Sequence, residues 1–203
     1  MIYNYASINN LNVFQMKKAF RMEIEECLVP TFPITRNEST KAINIYNPSV
    51  IKSINKMALG KVKIDKPRNI IISRGQAYHR RIVNEEAICN LLPKFNFEIV
   101  VLEHLSFLEQ MNLFANANII LGLHGSGLVN MLFSKNPLII EFFPSTRANR
   151  DAFYFYQLSQ ALDFEHHVFE YTPVNEFQDF QFNEEMANQV QTLISNSGRT
   201  TLV

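Results

Sequence analysis

From about Pro67 onward the chain alternates short, nearly continuous apolar runs with longer segments whose apolar residues recur every three or four positions. The runs at 69–73, 97–102, 118–123, 138–143 and 165–171 show little polar alternation, which is how strands buried on both faces of a parallel sheet read. Segments 84–92, 106–117, 127–134 and 150–162 carry the helical period between them, and 183–195 closes the series as an amphipathic helix. Two helix starts have local support: Ser106 with Glu109 three residues later forms a capping box, and Asn183 precedes Glu184 and Glu185, which suit the positive end of a helix dipole. Crossovers between parallel strands are almost always right-handed. Five successive β-α units therefore predict an α/β fold with an open, Rossmann-like, doubly wound parallel sheet, its ligand crevice at the carboxyl ends of the strands.

Residues 1–66 read differently. They predict a helix at 11–28, a loop rich in Pro, Thr and Asn through Ser39, a short strand at 42–46 and a helix at 48–59. The expected organisation is a partial amino-terminal region, 1–66, ahead of a Rossmann-like lobe, 67–203. With 203 residues, 47% of them hydrophobic, the chain has enough apolar material for a substantial core.

Charge narrows the partners. The 19 Lys and Arg balance the 19 Asp and Glu, which argues against nucleic acid or a membrane surface as a partner while leaving room for a local basic site. Cys27 and Cys89 lie in apolar, helix-like stretches without C-x-x-C spacing, so neither a zinc site nor a redox pair is expected. No apolar run is long enough to span a bilayer and the first residues lack a signal-peptide pattern, so the expected location is the cytoplasm, or a secretory lumen if an amino-terminal segment is missing.

Two constellations could carry chemistry. In Gly122-Leu123-His124-Gly125-Ser126-Gly127-Leu128, small residues leave the most apolar strand and enter a short helix, where backbone N–H groups can approach a phosphate. The spacing G-x-x-G-x-G matches neither the dinucleotide fingerprint nor the P-loop, and the alternative is a tight turn needing positive φ. Leu128 replaces the last glycine of a nucleophile elbow, which counts against Ser126 as a hydrolase nucleophile. His124 can donate to a phosphate oxygen or accept a proton, its alternative being a histidine bonded to a neighbouring loop.

The second constellation is the loop after the first strand of the lobe, Ser73-Arg74 through Arg80-Arg81 to Asn84-Glu85. Its arginines suit a diphosphate, because guanidinium forks bind phosphate oxygens in pairs and can stabilise a departing nucleoside diphosphate without a metal. Arg80, beside a like charge, also reads as part of a solvated basic loop. Glu141, within the apolar strand 138–143, needs partners if buried: ribose hydroxyls, or an ion pair with Arg147 or Arg81. His166 and His167 point to opposite faces of a strand and make a poor metal pair.

Together these segments resemble glycosyltransferase family 61. The resemblance is carried by Ile72-Ser73-Arg74, Arg81-Ile82-Val83-Asn84-Glu85, Glu109-Gln110 ahead of Phe114-Ala115-Asn116-Ala117, the run Gly122 to Asn130, and Ile140-Glu141-Phe142-Phe143-Pro144. It implies the carboxyl-terminal lobe of a GT-B architecture and an inverting, metal-independent transfer from a nucleotide sugar, usually a UDP sugar, to a hydroxyl of a glycan or protein acceptor. Donor-binding roles then fall on Ser73, Arg74, Arg81, Asn84, His124, Gly125, Ser126, Gly127, Asn130 and Glu141. Asn84, Glu85 and Asn130 are expected chiefly to cap helices and hold loops, and His124 is the candidate catalytic group. No cofactor is expected beyond the donor itself. Members of the family usually carry a further amino-terminal lobe that helps bind the acceptor. A missing lobe or a homo-oligomer would supply it here, and the alternative is a truncated nucleotide-binding module without turnover.

Overall fold

A computed structural model of the chain describes residues 34–37, 42–146 and 153–199. Strand β1 (Ile34–Asn37) pairs antiparallel with β2 (Ala42–Tyr46), and helix α1 (Pro48–Leu59) follows. The Asn47 side chain starts α1 by accepting from the Ser49 and Val50 amides at 3.1 and 3.4 Å, with Pro48 at a first-turn position that has no amide to satisfy. The reading of a loop through Ser39 is corrected by β1. Four residues with one apolar side chain are too few for alternation to register, and the order comes from pairing with β2. The helix expected at 11–28 lies outside the described residues.

The apolar runs become β3 (Arg68–Ile72), β4 (Phe97–Val100), β5 (Ala117–Leu123), β6 (Leu138–Pro144) and β7 (Glu165–Tyr171). They form one parallel sheet in the order β4-β3-β5-β6-β7. Between them run α2 (Glu85–Leu91), α3 (Phe107–Ala115), a 3₁₀ segment (Ser126–Phe133) and α4 (Phe153–Ala161), and α5 (Glu184–Asn196) ends the series. The capping box at Ser106 and Glu109 forms as expected, and Asn183 accepts from the Met186 amide at 2.9 Å. The segment with helical period at 127–134 is wound as 3₁₀, in the short connection between the neighbouring strands β5 and β6.

Strand pleating sorts the core into two layers. Ile70, Ile72, Ile120 and Ile139 face one side with Ile51, Met111, Leu128 and Leu158 from α1, α3, the 3₁₀ segment and α4. Ile71, Ile119, Leu121, Leu138, Ile140 and Phe142 face the other with Ile88, Val190 and Ile194 from α2 and α5. Covered on both faces, β3, β5 and β6 have no use for polar alternation. Each fully buried side chain of this kind contributes about 1.5–3 kcal/mol. The result is the α/β, Rossmann-like fold with a doubly wound sheet.

Strand order locates the ligand crevice. The chain moves outward from β3 to β4 and then returns to place β5 on the other side of β3, so the order reverses between β3 and β5. At such a switch point the connections leave in opposite directions and open a crevice at the carboxyl ends. Those ends carry Ser73-Arg74 and His124-Gly125.

Candidate functional site

Glu85, in the first turn of α2, fixes the start of the arginine loop: its carboxylate accepts from Ser73 Oγ at 2.8 Å and from the Arg74 amide at 3.1 Å. The Arg74 side chain then closes the loop on itself, Nε donating to the Arg80 carbonyl at 3.0 Å and Nη2 to the His79 carbonyl at 3.3 Å. Burial pulls the Arg74 guanidinium below the usual arginine value, opposed by the charge of Glu103, and the group stays cationic. Its remaining nitrogen, Nη1, lies over Gly125. A β-carbon at residue 125 would stand 2.1 Å from Nη1, so no side chain fits while Arg74 is there.

The turn itself is built by close approach. Gly125 is extended, φ 174° and ψ 166°, so the alternative reading of a turn that needs left-handed glycines does not hold: within the described residues only Gly198 among the glycines lies in the left-handed region. Gly127 has the same kind of role as Gly125, since a β-carbon there would meet Ile72 Cγ2 at 3.0 Å and Leu102 Cδ1 at 3.1 Å. Arg80, at φ 58°, turns back so that Nη1 donates to the His124 carbonyl at 2.8 Å. Two guanidinium groups thus meet one glycine turn. The cleft beside it, about 320 Å³, is lined by Tyr46, Arg80, His124, Gly125, Ser126, Tyr154 and Phe155.

His124 is buried between Phe143 and Phe155, with ring centroids at 4.7 and 5.0 Å, and its Nδ1 meets Glu141 Oε1 at 2.5 Å. Glu141, on β6, has no exposed surface. Its other oxygen, Oε2, lies 3.0 Å from His166 Nε2, within ion-pair reach but off the line of a hydrogen bond, and neither atom is hydrogen-bonded elsewhere. Burial pushes the Glu141 carboxyl up, yet the two imidazoles outweigh it and hold it below the ordinary carboxylate value. Of the alternative ion pairs, that with Arg81 does not form, since Arg81 pairs with Asp179, and Arg147 lies outside the described residues. With both oxygens faced by histidines, Glu141 reaches the cleft only through His124.

The remaining sequence-predicted residues hold the frame. Arg81 turns away from the glycine turn to Asp179, its amide donating to Oδ1 at 2.8 Å and its Nη2 to Oδ2 at 2.7 Å. Burial would raise Asp179, but the Arg81 fork, the Arg81 amide and Asn175 outweigh it and hold the carboxyl at about 2. Asn84 does not cap α2; it exchanges two bonds with the Phe182 backbone, at 2.8 and 2.9 Å, and so ties the loop to the segment before α5. Asn130 donates to Gln110 Oε1 at 3.2 Å, and Gln110 in turn holds the Leu102 and Leu105 carbonyls. Arg80, which in the sequence also reads as part of a solvated loop, lies on the cleft; His166 is weighed in the sequence only as a metal ligand, and Tyr46 and Tyr154, which line the cleft, carry no signal there. The signal for His166 was present: an acid in an apolar strand needs a partner, and a histidine stood on another strand of the same sheet.

Among the described residues no group of three or more His, Cys, Asp or Glu could hold a metal ion, and no helix is long and apolar enough to cross a membrane. The chain is similar to the protein O-linked-mannose beta-1,4-N-acetylglucosaminyltransferase 2 of Xenopus tropicalis, at 30% identity over 115 residues, 53% of this chain and 20% of that protein. It is also similar to the EGF domain-specific O-linked N-acetylglucosamine transferase of Mus musculus, at 31% identity over 101 residues, 47% of this chain and 19% of that protein. The matched region thus spans about a fifth of the length of these curated relatives. A family model described as Glycosyltransferase 61 matches residues 16–140, more than half of the chain, and covers β3, β5, the arginine loop and the glycine turn: the chain belongs to glycosyltransferase family 61.

Proposed function

We propose that residues 67–203 are the donor-binding lobe, of GT-B type, of an inverting glycosyltransferase that moves a sugar from a UDP sugar to a hydroxyl of a glycan or protein acceptor. The observation that carries this reading is the packing of the Arg74 guanidinium onto Gly125, with Arg80 held to the carbonyl of the preceding His124, at the switch point of the sheet. Cations fixed in a partly dry crevice stabilise a leaving diphosphate in place of a metal and need no reorganisation as its charge develops. The acceptor oxygen bonds to the anomeric carbon opposite the diphosphate, the anomeric C–O bond breaks, and its electron pair leaves with the phosphate. With Nδ1 occupied by Glu141, His124 has Nε2 left to take the acceptor proton. The acceptor is held by a further lobe or a second copy of the chain.

A thermal-shift screen against UDP, GDP, CMP and their sugars, with and without EDTA, tests the donor and the metal together. Stabilisation by UDP compounds in both conditions is expected. If no nucleotide stabilises the protein, the donor lobe is the wrong assignment. UDP binding with neither donor hydrolysis nor transfer identifies a nucleotide-binding module instead.

A further inference from the structure

We infer that Tyr78, with His79 and Phe177, is the platform on which the nucleobase of the donor stacks, an inference that rests on the reading of residues 67–203 as a donor lobe. The three rings meet on the arginine loop: the centroids of Tyr78 and His79 lie 4.6 Å apart, those of Tyr78 and Phe177 5.4 Å, and those of His79 and Phe177 5.8 Å. Neither neighbour lies parallel to Tyr78, the planes meeting at 88° and 81°, and Tyr78 is 75% exposed, so its ring is open to a further flat partner. A hollow of about 420 Å³ beside it, lined by Gly75, Gln76, Ala77, Tyr78, Arg81 and Phe177, is of the size that small ligands occupy. Backbone bonds make the platform firm, the Arg80 amide donating to the Phe177 carbonyl at 2.9 Å and the Phe180 amide to the Arg81 carbonyl at 2.8 Å.

The place of the rings relative to the cations identifies the ligand. Arg74 holds the His79 and Arg80 carbonyls, so its guanidinium and the rings belong to one closed loop. Arg80 in turn reaches the His124 carbonyl and lines the cleft there. Along these contacts the rings, the guanidinium groups and His124 follow one another in the order in which a UDP sugar presents base, diphosphate and sugar. The aromatic side chains beside His124, namely Tyr46, Tyr154 and Phe155, stand where the reacting sugar is held, which leaves the base to the Tyr78 group. The Gln76 amide, with Nε2 2.9 Å from His104 Nε2, brings both donors and an acceptor to the same hollow for the polar edge of uracil. A stack of this kind acts on the base alone, and pyrophosphate has none.

The test is calorimetry on the full chain with UDP and with inorganic pyrophosphate, in wild type, Tyr78→Ala and Tyr78→Phe. Tyr78→Ala is expected to bind UDP at least about fivefold more weakly, the lower bound for one base–aromatic stack, and to bind pyrophosphate as wild type does. Tyr78→Phe keeps the ring and is expected to keep the UDP affinity. Unchanged UDP affinity in Tyr78→Ala overturns the inference and leaves the rings to another partner, such as the face of an acceptor sugar. An equal loss of UDP and pyrophosphate overturns it as well, since the ring would then act through the arginines and not on a base. So does a Tyr78→Phe as weak as Tyr78→Ala, which would put the interaction in the hydroxyl. Saturation transfer from the aromatic protons of wild type to uracil H5 and H6 of UDP is an independent check that needs no variant, and its absence counts against the stack. A wild type that binds neither ligand refutes the donor lobe itself, and is told apart from the failures above because in those UDP still binds.

Discussion

Arg74 and Gly125 exclude each other's alternatives: the guanidinium occupies the volume that any side chain at residue 125 would need, with Cζ 3.0 Å from the position of a β-carbon. Gly125 is not demanded by the backbone, since its extended φ is open to any residue. Its absence of a side chain is what lets the cation from β3 reach the turn after β5. Gly125→Ala is therefore expected to fold and to push Arg74 off the turn. UDP affinity should fall by about 1.5–3 kcal/mol, the worth of a hydrogen bond to a charged group, measured by calorimetry. Undiminished affinity in a variant whose Arg74 has moved would detach the cation from the donor site.

Arg80 and Arg81 are adjacent in sequence and serve different ends of the loop. Arg80→Ala is expected to weaken UDP binding by about 1.5–3 kcal/mol, as is Arg74→Ala. Arg81→Ala should instead act through stability, because it leaves the Asp179 carboxylate without its guanidinium partner. Melting temperatures and UDP isotherms of the three variants separate the roles. A larger binding loss in Arg81→Ala than in Arg80→Ala would reverse the assignment.

This pair marks what the sequence could and could not convey. Runs such as Ile70-Ile71-Ile72 and Leu138-Ile139-Ile140 are legible as strands because burial on both faces imposes a local rule on every residue. The convergence of the arginine loop and the glycine turn was also legible, since both follow strand ends of a sheet whose topology has few alternatives. Which arginine faces the turn was not. That choice depends on the positive φ of Arg80 and on Asp179, 98 residues away from Arg81, and neither leaves a local pattern. The partner of Glu141 was equally remote. Its need for one could be read from the apolar strand, but the identity of His166 follows from β7 lying beside β6.

Acid should loosen the loop through Asp179. Its carboxyl is held at about 2, below the ordinary value of 3.8, so its charged form favours the folded state. That contribution is present in full above the unfolded value and is lost as pH falls through the folded one. The melting-temperature gap between wild type and Asp179→Asn is therefore expected to be constant from neutral pH down to about 4 and to close toward about 2. A gap independent of pH over that window would show that the ion pair with Arg81 is not what holds the segment.

The capping box of α3 provides a contrast remote from the crevice. Ser106 Oγ accepts from the Glu109 amide at 3.4 Å, and the Glu109 carboxylate accepts from the Ser106 amide at 2.7 Å. Two amides at the exposed start of the helix are satisfied by this exchange, and Ser106→Ala removes one of them. The expected cost is about 1 kcal/mol of folding stability. Because α3 meets the 3₁₀ segment that follows the glycine turn through the Gln110–Asn130 contact at 3.2 Å, the Phe107–Phe133 ring pair and their shared apolar layer, and Ser106→Ala touches none of these, UDP affinity should not change. Denaturant unfolding and calorimetry on the same variant check both halves. A matching loss of affinity would mean that α3 positions the turn more directly than those contacts imply, and Gln110→Ala would then be the variant to reproduce it.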